Sequence, residues 1–294
     1  MTVRRRTARH EVLVAGGGPA GAAAALALAA RGRGVLLVHH PGGPPPVGEA
    51  LPGAARLLLR DLGAAGSVPG EGHLACPGNR SAWGSSRVHA VDSVLDPYGP
   101  GWHLDRALFD ARLRQAAQER GAVLAEGAVR SAERVADGWE VLIGQADGTS
   151  KAVRCRWIVD ATGRRAALAT RYGGARRCGT DRLVGLHLAV PAGPGDQGTL
   201  VESAPDGWWY SAPLPDGRLL LACFTDADLP AARADGLPDR LAETGPTRAR
   251  VGAASLPPGG RRRTSPGWTG SAARGGPRRA TRPPPSTRSP RRAS

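Results

Sequence analysis

Between Glu11 and His40 the chain passes from a short apolar run into a cluster of glycines, then an alanine-rich stretch, then a second apolar run. Val12, Leu13, Val14 and Ala15 have the composition of a buried strand, and Val35 to Val38 form a second one. Between them lie Gly16-Gly17-Gly18-Pro19-Ala20-Gly21, the helix-forming stretch Ala22 to Ala30, and the stop signal Arg31-Gly32. A strand that bends at once into a helix through GxGxxG spacing admits few folds. It opens a parallel, Rossmann-like α/β sheet. Gly16 permits the tight turn, Gly18 leaves the main chain bare, and Gly21 lets the helix pack closely on the sheet. Pro19 and Ala20 complete the turn, and the free N–H groups and positive dipole end of the helix favour a phosphate. The expected ligand is a dinucleotide held by its pyrophosphate.

One usual partner is missing. About 20 residues past the glycines a carboxylate normally accepts hydrogen bonds from ribose hydroxyls. Here the second strand ends Val38-His39-His40, and the next acidic residue is Glu49. A neutral imidazole accepts one hydrogen bond where a carboxylate accepts a pair. His39 either takes that role with a weaker contact or stands exposed at a strand end with no ligand.

The net charge of +15 would point to nucleic acid if it were spread along the chain. It is not. The last carboxylate is Glu243; residues 1–245 carry a net +3, and residues 246–294 carry 12 Arg and no acid. That final segment has 9 Pro and three large apolar residues, Val251, Leu256 and Trp268, too few to offset its ordering entropy. It is expected to be a disordered tail. No run reaches the ~18 apolar residues of a membrane helix. Arg4-Arg5-Arg6 precede an apolar run that ends at Ala15, which is wrong for an export signal. A soluble, cytoplasmic protein is expected. Cys76, Cys155, Cys178 and Cys223 are widely spaced, which indicates neither a metal site nor a disulfide framework; free buried thiols are the expectation.

Further along, Leu51 to Leu62 is helical in pattern, and residues 105–120 read as a helix with Asp105 as N-cap and Gly121 as stop. Three strand-like runs follow, Gly127 to Val135, Trp139 to Ile143 and Ala152 to Val159, joined by turns with Asp137-Gly138 and Asp147-Gly148. The last of them opens into Asp160-Ala161-Thr162-Gly163, a second small-residue turn. Beyond Gly185 the runs alternate: Leu186 to Val190, Thr199 to Glu202, Trp208 to Ala212 and Leu219 to Phe224, the last two joined through Pro215-Asp216-Gly217.

Five blocks, VLVAGGGPAGAAAALALAARG, GEALPGAARLLLRDLG, LDRALFDARLRQAAQERGA, VDATGRRAALA and GWWYSAPLPDGR, together resemble FAD-dependent oxidoreductases of the p-hydroxybenzoate-hydroxylase-like superfamily. The likeness is nearest the monooxygenase, geranylgeranyl-reductase and flavin-halogenase branches. It implies an FAD-binding domain over 1–182, with helix 105–120 and a three-stranded meander over 127–159. A partial substrate domain built on a mostly antiparallel sheet would follow over 183–245, then the tail over 246–294. It implies FAD as cofactor, NAD(P)H as the candidate reductant and a small organic substrate of aromatic or polyketide-like type. By the same resemblance Gly16, Gly18 and Gly21 bind the FAD pyrophosphate and His39 stands at the ribose position. Arg106 lies against the diphosphate side, Val129 lends backbone to the adenine, and Asp160, Thr162 and Gly163 form a turn beside FAD. Trp208, Trp209 and Tyr210 either line a substrate pocket or pack in the core. No catalytic residue is assigned.

The single lysine, Lys151, does not fall where halogenases carry theirs, so halogenation is disfavoured. The family also continues with a GD motif and a DP-type helix start, which residues after Glu243 do not supply. A reading-frame change in a GC-rich coding sequence would account for this and for 39 Arg against one Lys, and it predicts weak flavin retention. The competing expectation is a non-catalytic remnant whose basic tail contacts nucleic acid or anionic surfaces non-specifically.

Overall fold

A computed structural model describes residues 8–40, 49–67, 71–176 and 182–251, apart from 194, 196 and 234, with the backbone of 264–265. The chain opens as β1 (Ala8–Ala15), α1 (Pro19–Ala29) and β2 (Val35–His39). Next come β3 (Glu49–Leu51), α2 (Ala55–Asp61), β4 (Leu74–Cys76), β5 (Gly78–Ala82), β6 (His89–Asp92) and β7 (Gly101–Leu104). Then α3 (Arg106–Glu119) and β8 (Val123–Glu126) lead into β9 (Ala128–Val135), β10 (Gly138–Gly144), β11 (Ser150–Asp160) and α4 (Ala167–Tyr172). The remainder is β12 (Leu183–Pro191), β13 (Thr199–Ala204), β14 (Gly207–Pro213), β15 (Arg218–Asp226), α5 (Leu237–Ala242), α6 (Pro246–Val251) and β16 (Thr264–Ser265).

The first sheet has the order β8-β2-β1-β11-β10-β9, parallel across its first four strands and antiparallel through the meander. β1 and β2 are apolar on both faces because both faces are covered. Val14 and Leu37 pack with Leu26, Phe109 and Leu113 beneath α1 and α3. Leu13, Leu36 and Val38 pack on the other side with Val141, Ile143 and Val153 of the meander. Ala22 and Ala25 are fully buried, and their small side chains let α1 lie close against α3 and the sheet. The Asp105 cap forms as expected, with the Leu108 N–H donating to Asp105 Oδ1 at 2.9 Å.

The second sheet, β16-β12-β15-β14-β13-β5-β6, is antiparallel except where β13 runs parallel to β5. This redraws the expected division at residue 182. Residues 78–92 leave the first unit and pair on the free edge of β13, with Thr199 opposite Asn79 and Val201 opposite Ser81. Short polar strands such as GNRSA and HAVD carry no alternation to announce them. A third, small sheet joins β3, β7 and β4. The helix expected over Leu51 to Leu62 is shorter, because Leu51 pairs with Trp102 in that small sheet and Pro52-Gly53 follows.

The basic tail expected from residue 246 begins instead as an ordered helix. Thr247 and Val251 of α6 are buried, and the buried Glu202 carboxylate accepts from the N–H groups of Gly245 (2.8 Å) and Thr247 (2.7 Å). Arg250 donates to Ser211 Oγ at 2.9 Å and to Gly198 O at 2.8 Å. Composition averaged over 49 residues hides these six. Of the remaining tail, the description extends to the backbone of Thr264–Ser265, which pairs with β12. Among the described residues no helix is long and apolar enough to cross a membrane.

Candidate dinucleotide site

At the end of β1 the backbone turns through Gly16, whose φ of +118° disfavours any side chain. A Cβ there would overlap the carbonyl oxygen of Ala161, and one at Gly21 would overlap the carbonyl oxygen of Gly16. Two glycines therefore close the turn against backbone. Gly18 differs: a Cβ built on it meets nothing within 4 Å. Its φ of −74° is open to any residue, so the turn itself does not demand glycine there. Gly18 is the N-cap of α1 without any side-chain cap, with Pro19 as the first helical residue. Bare main chain facing open space at a helix N-terminus is what a pyrophosphate requires.

The second turn lies against the first. Ala161 N–H donates to Ala15 O at 2.9 Å. Asp160, closing β11, accepts from the Thr162 N–H and hydroxyl through Oδ1 (2.9 and 2.6 Å). Its Oδ2 accepts from the N–H groups of Leu168 (2.9 Å) and Ala169 (2.7 Å). Burial pushes the Asp160 carboxyl upward, but these donors outweigh it and hold it below the usual carboxylate range. Asp160 is thus occupied in shaping the turn and capping α4, and Thr162 Oγ1 accepts in turn from Ala167 N–H at 2.8 Å. Gly163, at φ +70°, is exposed beside it.

At the tip of β2, His39 Cβ and Arg114 Cδ pack where a Gly17 side chain would stand. Arg114 Nη1 donates to Gly17 O at 2.8 Å, so α3 clamps the glycine turn. Burial, then the nearby Arg114, lower the His39 pKa, while Glu126 opposes them. The imidazole is therefore neutral near pH 7. Glu126 stands directly opposite His39 on β8, in parallel register. Sequence reasoning missed both Arg114 and Glu126, because helix packing brings the one, and strand pairing the other, to this corner. Arg106, by contrast, is engaged with Asp110 through two 3.3 Å hydrogen bonds. Burial raises the Asp110 carboxyl against the pull of Arg106 and Arg114. Val129 lies three residues past Glu126, its half-buried side chain among the meander core.

On the second sheet the three aromatic candidates separate. Trp209 is 1% exposed and packs under α5 and α6 with Leu221, Leu241 and Val251. Its burial assigns it to the core. Trp208 and Tyr210 alternate to the opposite, half-buried face, where Trp208 stacks on Phe224 at 5.4 Å and approaches the exposed Trp83 at 6.4 Å. Thr199 shares that face and meets Cys76 Sγ at 3.7 Å. Burial would raise the Cys76 thiol, yet His103, Thr199 and a backbone hydrogen bond from Gly78 bring it down to about 7. Cys76, Cys155 and Cys223 are free and buried, and Cys178 lies outside the described residues. A cleft of about 310 Å³ lies elsewhere, near the start of β1, lined by Arg9, His10, Trp139 and Cys155. Burial pushes the Cys155 thiol up to about 11, which makes it a poor nucleophile.

Two abutting backbone turns, a helix N-terminus open to solvent and a meander on the parallel sheet define a Rossmann-like, dinucleotide-binding class of protein. Comparison with known proteins narrows it: the profile of the FAD dependent oxidoreductase family matches residues 89–287, about two thirds of the chain, and the chain belongs to that family. It is 32% identical over 155 residues to LodB of Marinomonas mediterranea, a protein named as an FAD-dependent oxidoreductase, covering 52% of this chain and 42% of that protein. Among solved structures it is similar to QhpG, a peptidyl tryptophan dihydroxylase essential for tryptophylquinone cofactor biogenesis. The TM-score is 0.68 at 28% identity, over 85% of this chain and 54% of that one. The myxobacterial chondrochloren halogenase CndH shares the fold, with TM-score 0.69 at 24% identity, over 79% of this chain and 58% of that one. The chain spans about half the length of these proteins.

Proposed function

We propose that this chain holds the FAD-binding and part of the substrate-binding framework of a flavin-dependent monooxygenase acting on an aromatic substrate, with NAD(P)H as reductant. The observation that carries the reading is the open space over Gly18, beside two glycines locked against backbone. FAD, when bound and reduced, supplies the activation of dioxygen that no protein side chain provides. The chain's own residues bind and orient. Gly16, Gly18 and Gly21, with Pro19 and Ala20, would present main chain and helix dipole to the diphosphate. Arg114 holds that turn through Gly17 O, and Asp160 keeps Thr162 and Gly163 in the conformation that abuts it. Val129 remains the candidate for backbone contact with the adenine. Arg106, bound to Asp110, would act there by positioning.

The substrate class rests on two supports. QhpG, at 28% identity, acts on a peptidyl tryptophan. Trp208, Phe224 and Trp83 form an aromatic row on the half-buried face of the second sheet, suited to a flat ring. Halogenation fits poorly, since Lys151 is nine residues from Asp160 along β11, about 30 Å away. The test is an equilibrium titration of the purified chain with FAD, followed by flavin absorbance and fluorescence. Weak but saturable binding is expected; an unchanged flavin spectrum at every FAD concentration would refute the cofactor reading. A second reading, anionic-surface binding, rests on the net +12 of residues 246–294. It predicts salt-sensitive nucleic-acid binding that disappears on truncating residues 252–294, with FAD binding unchanged.

A further inference from the structure

We propose that Glu126 supplies the ribose-binding carboxylate that β2 lacks, paired with His39 across two neighbouring parallel strands. This rests on the FAD reading above and names a residue that the glycine motif does not foretell. In the β2–β8 ladder Leu37 pairs with Leu124, Val38 with Ala125 and His39 with Glu126. Leu37 and Leu124 lie in the core beneath α1 and α3, whereas Val38 and Ala125 lie in the core under the meander. Alternation along a strand then returns His39 and Glu126 together to the side of α1 and α3, where the glycine turn sits. Gly127 N–H donates to His39 O at 2.8 Å, which pins the two strand tips to each other.

The described contacts around the pair come from three elements. From the turn, Gly17 packs against His39 Cβ; from α3, Arg114 reaches Gly17 O and lies close enough to perturb the His39 imidazole; from β8, Glu126 perturbs it with the opposite sign. Glu126 is exposed, so its carboxylate is available to a ligand in this corner. The chemistry is complementary. A ribose cis-diol offers two hydroxyl donors; the carboxylate can accept both, while the neutral imidazole accepts one or donates one. Arg114 offsets the carboxylate's charge beside the diphosphate. The acid normally carried on β2 has thus moved one strand sideways, 87 residues along the chain from His39.

The test measures FAD affinity of the full chain by flavin fluorescence for wild type and Glu126→Gln, against FAD, FMN and an FAD analogue whose adenosine lacks the 2′-hydroxyl. Glu126→Gln is expected to weaken FAD about tenfold. It should leave FMN binding and the melting temperature of the ligand-free chain unchanged. Wild type should bind the deoxy analogue about as weakly as the variant binds FAD, with no further loss when the two changes are combined. Equal FAD affinity of wild type and variant would overturn the proposal, as would the same loss for FAD and for the deoxy analogue. Failure of wild type to bind FAD at all would remove the cofactor reading itself, an outcome visible before any variant is made.

Discussion

Replacing Gly18 by alanine adds one methyl group at a place where the structure offers room and the proposed ligand does not. The added Cβ meets no protein atom within 4 Å, and φ −74° with ψ −175° suits alanine. Loss of unfolded-state freedom stabilises the variant by about 0.4–1 kcal/mol, and alanine is a poorer N-cap than glycine by a similar amount. The ligand-free chain should therefore keep its stability within about 1 kcal/mol. The diphosphate, in contrast, loses close approach to backbone N–H donors. A hydrogen bond to a charged group contributes about 1.5–3 kcal/mol, so affinity should fall roughly 10- to 100-fold. At an FAD concentration 100 times Kd, wild type gains about 2.7 kcal/mol. That is roughly 5–10 °C for a chain of this size. After a 100-fold loss the same FAD stabilises the variant by about 0.4 kcal/mol. Thermal melts followed by circular dichroism, with and without FAD, read both quantities. An FAD-induced rise in Gly18→Ala equal to that of wild type would refute the reasoning.

Gly21→Ala should behave in the opposite way, destabilising even the ligand-free chain by about 1–3 kcal/mol, because its Cβ overlaps the backbone oxygen of Gly16; the same melts check it. Trp209→Ala should cost about 3–5 kcal/mol in urea unfolding, and Trp208→Ala distinctly less, since Trp209 fills the core and Trp208 is half exposed. The Asp160 carboxyl is held below its ordinary range, so its contribution is present above that range and is lost as pH falls through the lowered value. Asp160→Asn should lower stability near neutrality by about 0.5–2 kcal/mol and flatten the acid limb of a urea-unfolding pH series. Glu202→Ala should uncap α6 at a cost of about 1–3 kcal/mol and open Arg248 and Arg250 to trypsin, read by limited proteolysis and mass spectrometry.

The first unit was legible because its signals are local. A glycine spacing, a proline at the first helical position and an apolar run on each side specify β1, α1 and β2 within thirty-odd residues. Asp105 capped α3 where its side chain said it would, and the Asp-Gly turns delivered the meander. Legibility failed wherever a residue's role depends on a partner far along the chain. Nothing in GNRSA declares that it will pair with β13, over a hundred residues later. Six residues of α6 are ordered by one buried carboxylate on β13, so composition misjudged them. Trp208 and Trp209 are the same residue type side by side, and only the face of the strand each occupies sends Trp209 into the core and leaves Trp208 half-buried.

From its residues alone this chain was bound to bend a strand into a helix over bare backbone, since glycine is the residue that tolerates such contacts at Gly16 and Gly21. What lies around that bend was decided by tertiary structure. Strand adjacency put Glu126 beside His39, helix packing put Arg114 rather than Arg106 on the turn, and sheet pairing drew residues 78–92 across to the second unit. Backbone conformation is set by each residue's own sterics, and so it can be read locally. A site is a meeting of side chains from separate strands and helices, and only the packed core brings them within reach of one another.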